Sequence, residues 1–101
     1  MKRSIANKLK LLNSIFQSHK VEKAYVFGSV TTEDFTTESD IDFLVVFQPD
    51  LGPLEKGELW WSLYDTLKVH FNREIDLISE GSLKNPYFIE EVNNTKQLIY
   101  G

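Results

Sequence analysis

The 101-residue sequence predicts an α/β (α+β) fold in which helices flank a small mixed β-sheet. Segments whose apolar residues return every three or four positions, as on one helix face, alternate with short apolar runs typical of strands. The run at 41–47 is apolar throughout after Asp42, which indicates a strand covered on both faces. No linker or internal repeat interrupts this pattern, so we expect a single domain over residues 1–101.

Helices are predicted where apolar residues return with helical spacing. The first covers residues 4–18, and the second runs from about 54 to 71. A third, short helix is expected to begin at Pro86, directly after a capping residue at Asn85, and to end near residue 92. The apolar residues that share a face are Ile5, Leu9, Leu12 and Phe16 in the first helix and Trp60, Leu63, Tyr64, Leu67 and Phe71 in the second.

Strands are predicted at 23–28, 41–47 and 74–79, where short apolar runs are bounded by polar or turn residues. Residues 97–100 are expected to add a brief strand or an extended tail. The stretch at 29–40 is rich in Thr, Ser, Asp and Glu, and we interpret it as the loop between the first two strands.

Two adjacent tryptophans on the second helix need separate explanations. Trp60 and Trp61 point about 100° apart around a helix, so both cannot face the core centrally. One interpretation packs Trp61 at the edge of the core. The other makes one of the two an anchor for a partner, because aromatic residues are enriched at interface hot spots.

Composition and charge argue against several classes of function. The chain has no cysteine, and His19 and His70 lie far apart, which argues against disulfides and a zinc site. No apolar run approaches the roughly 20 residues of a membrane span, and the basic start lacks a secretory signal, so we expect a cytoplasmic protein with no membrane role.

Residues 1–23 hold six of the eleven Lys and Arg side chains, either as a solvated helix face or as a contact for phosphate or an acidic protein. The rest is acidic and therefore a poor general binder of nucleic acid.

Three aspartates form the main candidate site. Successive strand side chains point to opposite faces, so Asp40 and Asp42 project from the same face. Two carboxylates about 6.5 Å apart repel by about 2–3 kcal/mol at an effective dielectric near 20, and a divalent cation would reverse that sign. Asp76 alternates with apolar residues in the third strand, and it would come close to both if that strand pairs beside the second. Carboxylate oxygens in such a cluster are ligands suited to Mg²⁺.

Gly28 and Ser29, at the end of the first strand, form a candidate phosphate site. A glycine at this position lets the backbone come close to a ligand, and exposed backbone N–H groups can bind a phosphate. The Ser29 hydroxyl adds a donor at the same place. One loop therefore offers phosphate ligands, and the next strand offers ligands for the metal that accompanies a nucleoside triphosphate.

Gly28-Ser29, ten further residues and then Asp-x-Asp resembles the signature of the nucleotidyltransferase superfamily related to DNA polymerase beta. At this length the chain most resembles the minimal nucleotidyltransferase (MNT) proteins, over nearly its whole extent. The resemblance implies the polymerase beta-like fold and transfer of a nucleotide with two Mg²⁺ ions. It makes Asp40 and Asp42 the ligands of Mg²⁺ against the triphosphate, and Asp76 the residue that completes the second metal site. Gly28 and Ser29 would then position the phosphates of ATP.

The same resemblance implies a partner. MNT proteins are often encoded beside an all-helical HEPN protein, a ribonuclease toxin. This chain would then be the antitoxin of a HEPN/MNT pair, which transfers AMP from ATP to a tyrosine of the toxin. The sequence leaves the oligomeric state open.

One departure from the family pattern keeps alternatives open. Family members often carry an arginine within three residues after the Gly-Ser serine, whereas Val30, Thr31 and Thr32 follow here, and five of the ten residues at 33–42 are acidic. Such a loop repels a triphosphate unless metal binds first, so transfer by the isolated chain is expected to be slow or to need positive charge from a partner. The alternatives are a module that neutralises a helical partner by contact alone, and the nucleotide-binding half of a split enzyme acting on a small molecule such as an aminoglycoside.

Overall fold

The computed structural model describes residues 7–9, 11–32, 36 and 39–101, which form a four-stranded mixed sheet with helices on both faces. The strands are β1 (Val21–Phe27), β2 (Ile41–Phe47), β3 (Ile75–Ser79) and β4 (Gln97–Tyr100). Their order across the sheet is β3-β2-β1-β4. Strand β1 runs antiparallel to β2 and β4, whereas β2 and β3 are parallel. The predicted α/β fold with a small mixed sheet is therefore confirmed.

Three helices have both ends within the described residues. They are α1 (Asn13–Ser18), α2 (Pro53–Phe71) and α3 (Pro86–Thr95), and two short 3₁₀ turns lie at Gly28–Thr31 and Glu80–Ser82. Helix α2 begins at a proline and ends at Phe71, because the next residue, Asn72, has a left-handed φ of 52° that stops the helix. In the described part of the chain, no helix is both long enough and apolar enough to cross a membrane.

The prediction of one continuous helix over 4–18 is wrong. Residues 7–9 are helical, but Leu11 and Leu12 form a turn before α1 begins. The Leu12 N–H donates at 3.1 Å to the Leu9 carbonyl, three residues earlier, whereas an α-helical hydrogen bond spans four residues. Ile5, expected on the same face, lies outside the described residues. The tighter turn still directs the expected apolar side chains into the core, where Leu9, Leu12 and Phe16 are buried.

The remaining elements follow the predictions with small shifts at their ends. Strand β2 has the predicted bounds, β1 begins two residues earlier than expected, and residues 97–100 form the strand β4. Asn85 caps α3 as expected, because its side-chain oxygen accepts hydrogen bonds from the N–H groups of Tyr87 at 2.9 Å and Phe88 at 3.3 Å. Helix α3 continues to Thr95 rather than ending near residue 92.

The sheet has a core on each face. Helices α1 and α2 cover the larger one, which receives alternate residues of β2, namely Ile41, Phe43, Val45 and Phe47. Helix α3 covers the other face, where Phe27, Leu44 and Val92 are buried together. The Phe88 ring meets Phe27 edge-on with centroids 5.9 Å apart. The second face also carries Asp42, because it alternates with Phe43 along β2.

Candidate functional site

The parallel pairing of β2 and β3 places two aspartates side by side. Asp42 is the register partner of Asp76, one position after the paired Ile41 and Ile75. Register partners on neighbouring strands point to the same face, with the strands about 4.8 Å apart. The expected pairing of the third strand beside the second is therefore confirmed. The N–H of Ile41 also donates to the carbonyl of Glu74 at 3.2 Å, which fixes the start of both strands.

Asp42 is the electrostatic centre of this cluster. Partial burial, followed by the charges of Asp76, Asp40 and Glu91, raises the pKa of the Asp42 carboxyl to about 6. Asp40 is exposed just before β2, and Glu91 belongs to α3, which packs on the same face of the sheet. Four acidic side chains thus act on one region, and the fourth, Glu91, was not singled out from the sequence.

The aspartates share one end of the sheet without enclosing a metal position. Among the described residues, no group of three Asp, Glu or His side chains is close enough together to hold an ion as it stands. Asp40 and Asp76 are both exposed, so their side chains can rotate towards Asp42 without disturbing the core. The geometry therefore supplies a shared face and a shared negative potential.

Gly28 lies directly against Asp42. The pairing of β1 with β2 sets Phe27 opposite Asp42, and Gly28 follows with a left-handed φ of 72°. A Cβ atom on Gly28 would lie 2.5 Å from the Asp42 Oδ2 atom, closer than side chains tolerate. Glycine is therefore required here both by its backbone conformation and by the carboxylate that approaches it.

The Gly28–Thr31 turn is tied to the last turn of α3. The N–H of Gly28 donates to Thr95 Oγ1 at 3.2 Å, and that hydroxyl donates to the Glu91 carbonyl at 3.0 Å. The Thr31 hydroxyl donates to the Gly28 carbonyl at 2.7 Å, and the Ser29 hydroxyl has no partner among the described residues. Because the Gly28 N–H already donates to Thr95, the Ser29 hydroxyl is the donor of the predicted phosphate pair that we expect to bind a ligand.

Arg73 contacts the loop that leads into Asp40. Its Nη1 atom donates to the carbonyl of Ser39 at 2.9 Å and to that of Thr36 at 3.2 Å. The sequence pattern pointed to a loop without a nearby arginine, yet Arg73 approaches it from a position 34 residues beyond Ser39. Three of the acidic residues counted in that loop, Glu33, Asp34 and Glu38, lie outside the described residues.

Thr95, Glu91 and Arg73 could not be found from local sequence signals. Thr95 reaches the site because α3 extends past residue 92, and Glu91 reaches it because α3 packs over the second face of the sheet. Arg73 reaches it because β3 pairs with β2. All three contacts join parts of the chain far apart in sequence, and no spacing motif marks them.

The fold and this site define a class of enzyme, the nucleotidyltransferases. A glycine-serine turn ends β1, Asp42 on the neighbouring β2 adjoins Gly28, and Asp76 on β3 is the register partner of Asp42. The chain matches the sequence model of the family described as polymerase beta, nucleotidyltransferase over residues 10–101, and it belongs to this family. The predicted polymerase beta-like nucleotidyltransferase is therefore confirmed.

Known proteins similar to this chain agree with that assignment. A protein of Methanocaldococcus jannaschii named as a candidate protein adenylyltransferase is 34% identical over 84 residues, which cover 83% of this chain and 80% of the relative. A crystal structure of a toxin–antitoxin with AMP-PNP superposes with a TM-score of 0.71 at 22% identity, over 94% of this chain and 73% of that one. A tri-AMPylated Shewanella oneidensis HEPN toxin in complex with MNT antitoxin gives 0.57 at 22% identity, over 94% and 70%. At these identities the two solved structures establish the likeness of the fold.

Replacing Gly28 with alanine tests the contact with Asp42. We expect Gly28→Ala to lower the free energy of unfolding by about 1–3 kcal/mol, because it strains a left-handed residue and forces the carboxylate away. Adding Asp42→Ala should recover part of the loss. Urea unfolding measures all variants.

The matched control is Gly57→Ala. Gly57 lies inside α2 with open space around it, so alanine there should stabilise the protein by up to about 1 kcal/mol. Equal effects of the two glycine substitutions would contradict the close approach of Gly28 to Asp42.

The raised pKa of Asp42 determines how the stability of the metal-free protein should change with pH. Its folded-state pKa of about 6 lies above the ordinary value near 4, so the unfolded chain releases this proton more readily. Stability is therefore lost as pH rises from about 4 through 6. Asp42→Asn should gain stability relative to the wild type across this window and hold the gain above pH 7. Urea unfolding with a chelator present measures the difference.

Asp65→Asn, on the exposed surface of α2 away from the site, serves as the control substitution. The difference in the free energy of unfolding between Asp65→Asn and the wild type should not increase as pH rises from about 4 through 6. A pH-independent difference for Asp42→Asn would show that burial and the neighbouring charges do not raise the pKa of Asp42 in the folded protein.

Proposed function

We propose that this chain is a Mg²⁺-dependent nucleotidyltransferase that transfers AMP from ATP to a hydroxyl of a partner protein. The observation that carries the proposal is the register pairing of Asp42 with Asp76, together with the close approach of Asp42 to Gly28. Asp40, Asp42 and Asp76 are the proposed catalytic and metal-binding residues. Gly28 and Ser29 are the proposed nucleotide-binding residues.

The side chains present at the site suit Mg²⁺. Carboxylate oxygens are hard ligands, and the raised pKa of Asp42 reflects partial burial together with an excess of negative charge that a divalent cation would offset. Asp40, Asp42 and Asp76 would hold the metal. When bound, Mg²⁺ supplies positive charge against the triphosphate and the developing transition state.

The residues of the chain have separate parts in the proposed reaction. The turn at Gly28 allows the triphosphate to come close to the backbone, and the Ser29 hydroxyl donates a hydrogen bond to a phosphate oxygen. Asp76 orients the acceptor hydroxyl and accepts its proton. The acceptor oxygen bonds to the α-phosphorus as the bond to the bridging oxygen breaks, and pyrophosphate leaves. The acceptor thereby gains AMP.

A protein is the acceptor that the comparisons favour. The relative from M. jannaschii is named for adenylyl transfer to proteins, and the similar Shewanella complex contains an AMPylated HEPN toxin with an MNT antitoxin. We infer that this chain is the antitoxin of such a pair, and that the acceptor is a tyrosine of an all-helical HEPN-type protein encoded beside it. The names of these two proteins also favour a protein acceptor over the alternative of a split enzyme acting on an aminoglycoside-type molecule.

Arg73 changes the expectation drawn from the missing arginine. Its guanidinium already lies against the loop before Asp40, bonded to two carbonyl groups. We propose that this charge offsets part of the acidity of the loop. The arginine absent after Ser29 is then a partial deficit, which a partner with cationic side chains would remove.

Nucleotide binding should depend on the metal. Calorimetry is expected to show ATP binding with Mg²⁺ and none with a chelator, because the acidic site repels an unaccompanied triphosphate. Asp40→Asn combined with Asp42→Asn should abolish binding, whereas Asp65→Asn on the surface of α2 should not. Equal binding with and without Mg²⁺ would place the nucleotide at another site.

Transfer itself is tested by mixing this chain with the HEPN-type protein encoded beside it, in the presence of ATP and Mg²⁺. Intact-mass analysis should show an added AMP on the partner, formed faster than any self-labelling. Asp42→Asn should stop this addition. If the partner stays unmodified while Asp42→Asn still neutralises it, contact alone is the mechanism and the transferase proposal fails.

A further inference from the structure

The outward side of α2 carries a line of large apolar and acidic side chains. Its members, which we call the α2 stripe, are Leu54, Glu58, Trp61, Asp65 and Val69. They follow one another at intervals of three or four residues, so they lie along one side of the helix over about 22 Å. The apolar members are 79%, 62% and 81% exposed for Leu54, Trp61 and Val69.

Trp61 is exposed and yet held in place. The Trp60 ring stacks on Tyr64 with centroids 5.3 Å apart and planes 9° apart, and its Nε1 atom donates to the Leu77 carbonyl at 3.1 Å. Trp61 meets the Trp60 ring edge-on at 4.8 Å and Tyr64 at 6.1 Å. Trp60 therefore takes the place at the edge of the core, and Trp61 stands outside on a rigid aromatic base. A side chain fixed in this way loses little entropy when a partner covers it.

The charge of the stripe restricts what can cover it. Glu58 and Asp65 flank Trp61 along the helix, and neither forms an ion pair with a described residue. Lys68, three residues after Asp65 on the same helix, pairs with Glu74 at 3.5 Å, and its Nζ atom lies 5.7 Å from the centre of the Tyr64 ring. The α2 stripe thus combines apolar anchors with two carboxylates that have no ion-pair partner among the described residues.

A second copy of this chain is a poor occupant. If two stripes met antiparallel about Trp61, Glu58 of one copy would face Asp65 of the other at both ends of the contact. Like charges placed opposite each other in this way oppose association. The occupant that the charges favour is a different protein whose contacting side carries Lys or Arg next to apolar residues.

We propose that the α2 stripe docks a helix of the partner protein, with apolar side chains packed around Trp61 and basic side chains against Glu58 and Asp65. The proposal rests on the proposed function in that this partner is the acceptor of AMP. Helix α2 packs on the face of the sheet opposite to Asp42. A partner docked on the outward side of α2 therefore leaves the Asp42 face of the sheet uncovered.

Calorimetry with the HEPN-type protein encoded beside this chain tests the docking surface. We expect Trp61→Ala to raise the dissociation constant at least tenfold, since exposed aromatic anchors of this kind dominate interface energies. Glu58→Lys with Asp65→Lys should weaken binding as well and reduce its sensitivity to salt. Tyr87→Ala removes an aromatic side chain that is 83% exposed on α3, away from the stripe, and should bind like the wild type.

The outcomes separate this proposal from the proposed function. Mg²⁺–ATP binding should be the same in all these variants, which shows that each is folded. A dissociation constant within twofold of the wild type for both Trp61→Ala and the double lysine variant overturns the docking surface, whether or not AMP is transferred. An equal loss for Tyr87→Ala also overturns it. Weaker binding in the stripe variants without any AMP transfer by the wild type leaves the docking surface standing and removes the transferase proposal. Failure of the wild type to bind this protein overturns both.

Discussion

Two aspartates at paired positions on neighbouring parallel strands set the main constraint on this structure. Asp42 and Asp76 face the same way, and the charges around Asp42 add to partial burial in raising its pKa to about 6. Like charges at paired positions of a sheet oppose folding, because strand pairing fixes the distance between their backbones. The proposed Mg²⁺ would offset this repulsion. In the proposed function, binding of Mg²⁺ would therefore also stabilise the folded chain.

The surroundings of Asp42 are built to tolerate this arrangement. Gly28 leaves room for the carboxylate by lacking a side chain, and Thr95 holds the Gly28 N–H from the end of α3. Helix α3 buries Val92 against the second face of the sheet, so its packing positions both Thr95 and Glu91. These contacts all lie on the side of the sheet opposite to α2. The proposed catalytic site and the α2 stripe therefore occupy separate regions, joined through the sheet and the larger core.

The sequence predicted those parts of the fold that depend on local pattern. The apolar run of β2 and the helical spacing of α2 are such patterns, and the Asp-x-Asp spacing was enough to place Asp40 and Asp42 at the entrance of β2. The prediction of one helix over 4–18 was wrong because a three-residue turn buries Leu12 just as an α-helix would. The spacing of apolar residues alone does not distinguish the two. Thr95, Glu91 and Arg73 were missed because tertiary packing creates their contacts. The sequence did not show which of the two tryptophans packs at the edge of the core. In the structure the Trp60 indole donates to the Leu77 carbonyl, and Trp61 is exposed.

The most direct test of the central claim is a crystal structure of the chain with Mg²⁺ and a non-hydrolysable ATP analogue. We expect metal about 2.1 Å from carboxylate oxygens of Asp40 and Asp42, with the triphosphate against Gly28 and Ser29. Asp76 should face the α-phosphate from β3. A triphosphate bound elsewhere, or a metal that contacts neither Asp40 nor Asp42, would contradict the claim that these paired strands form the catalytic site.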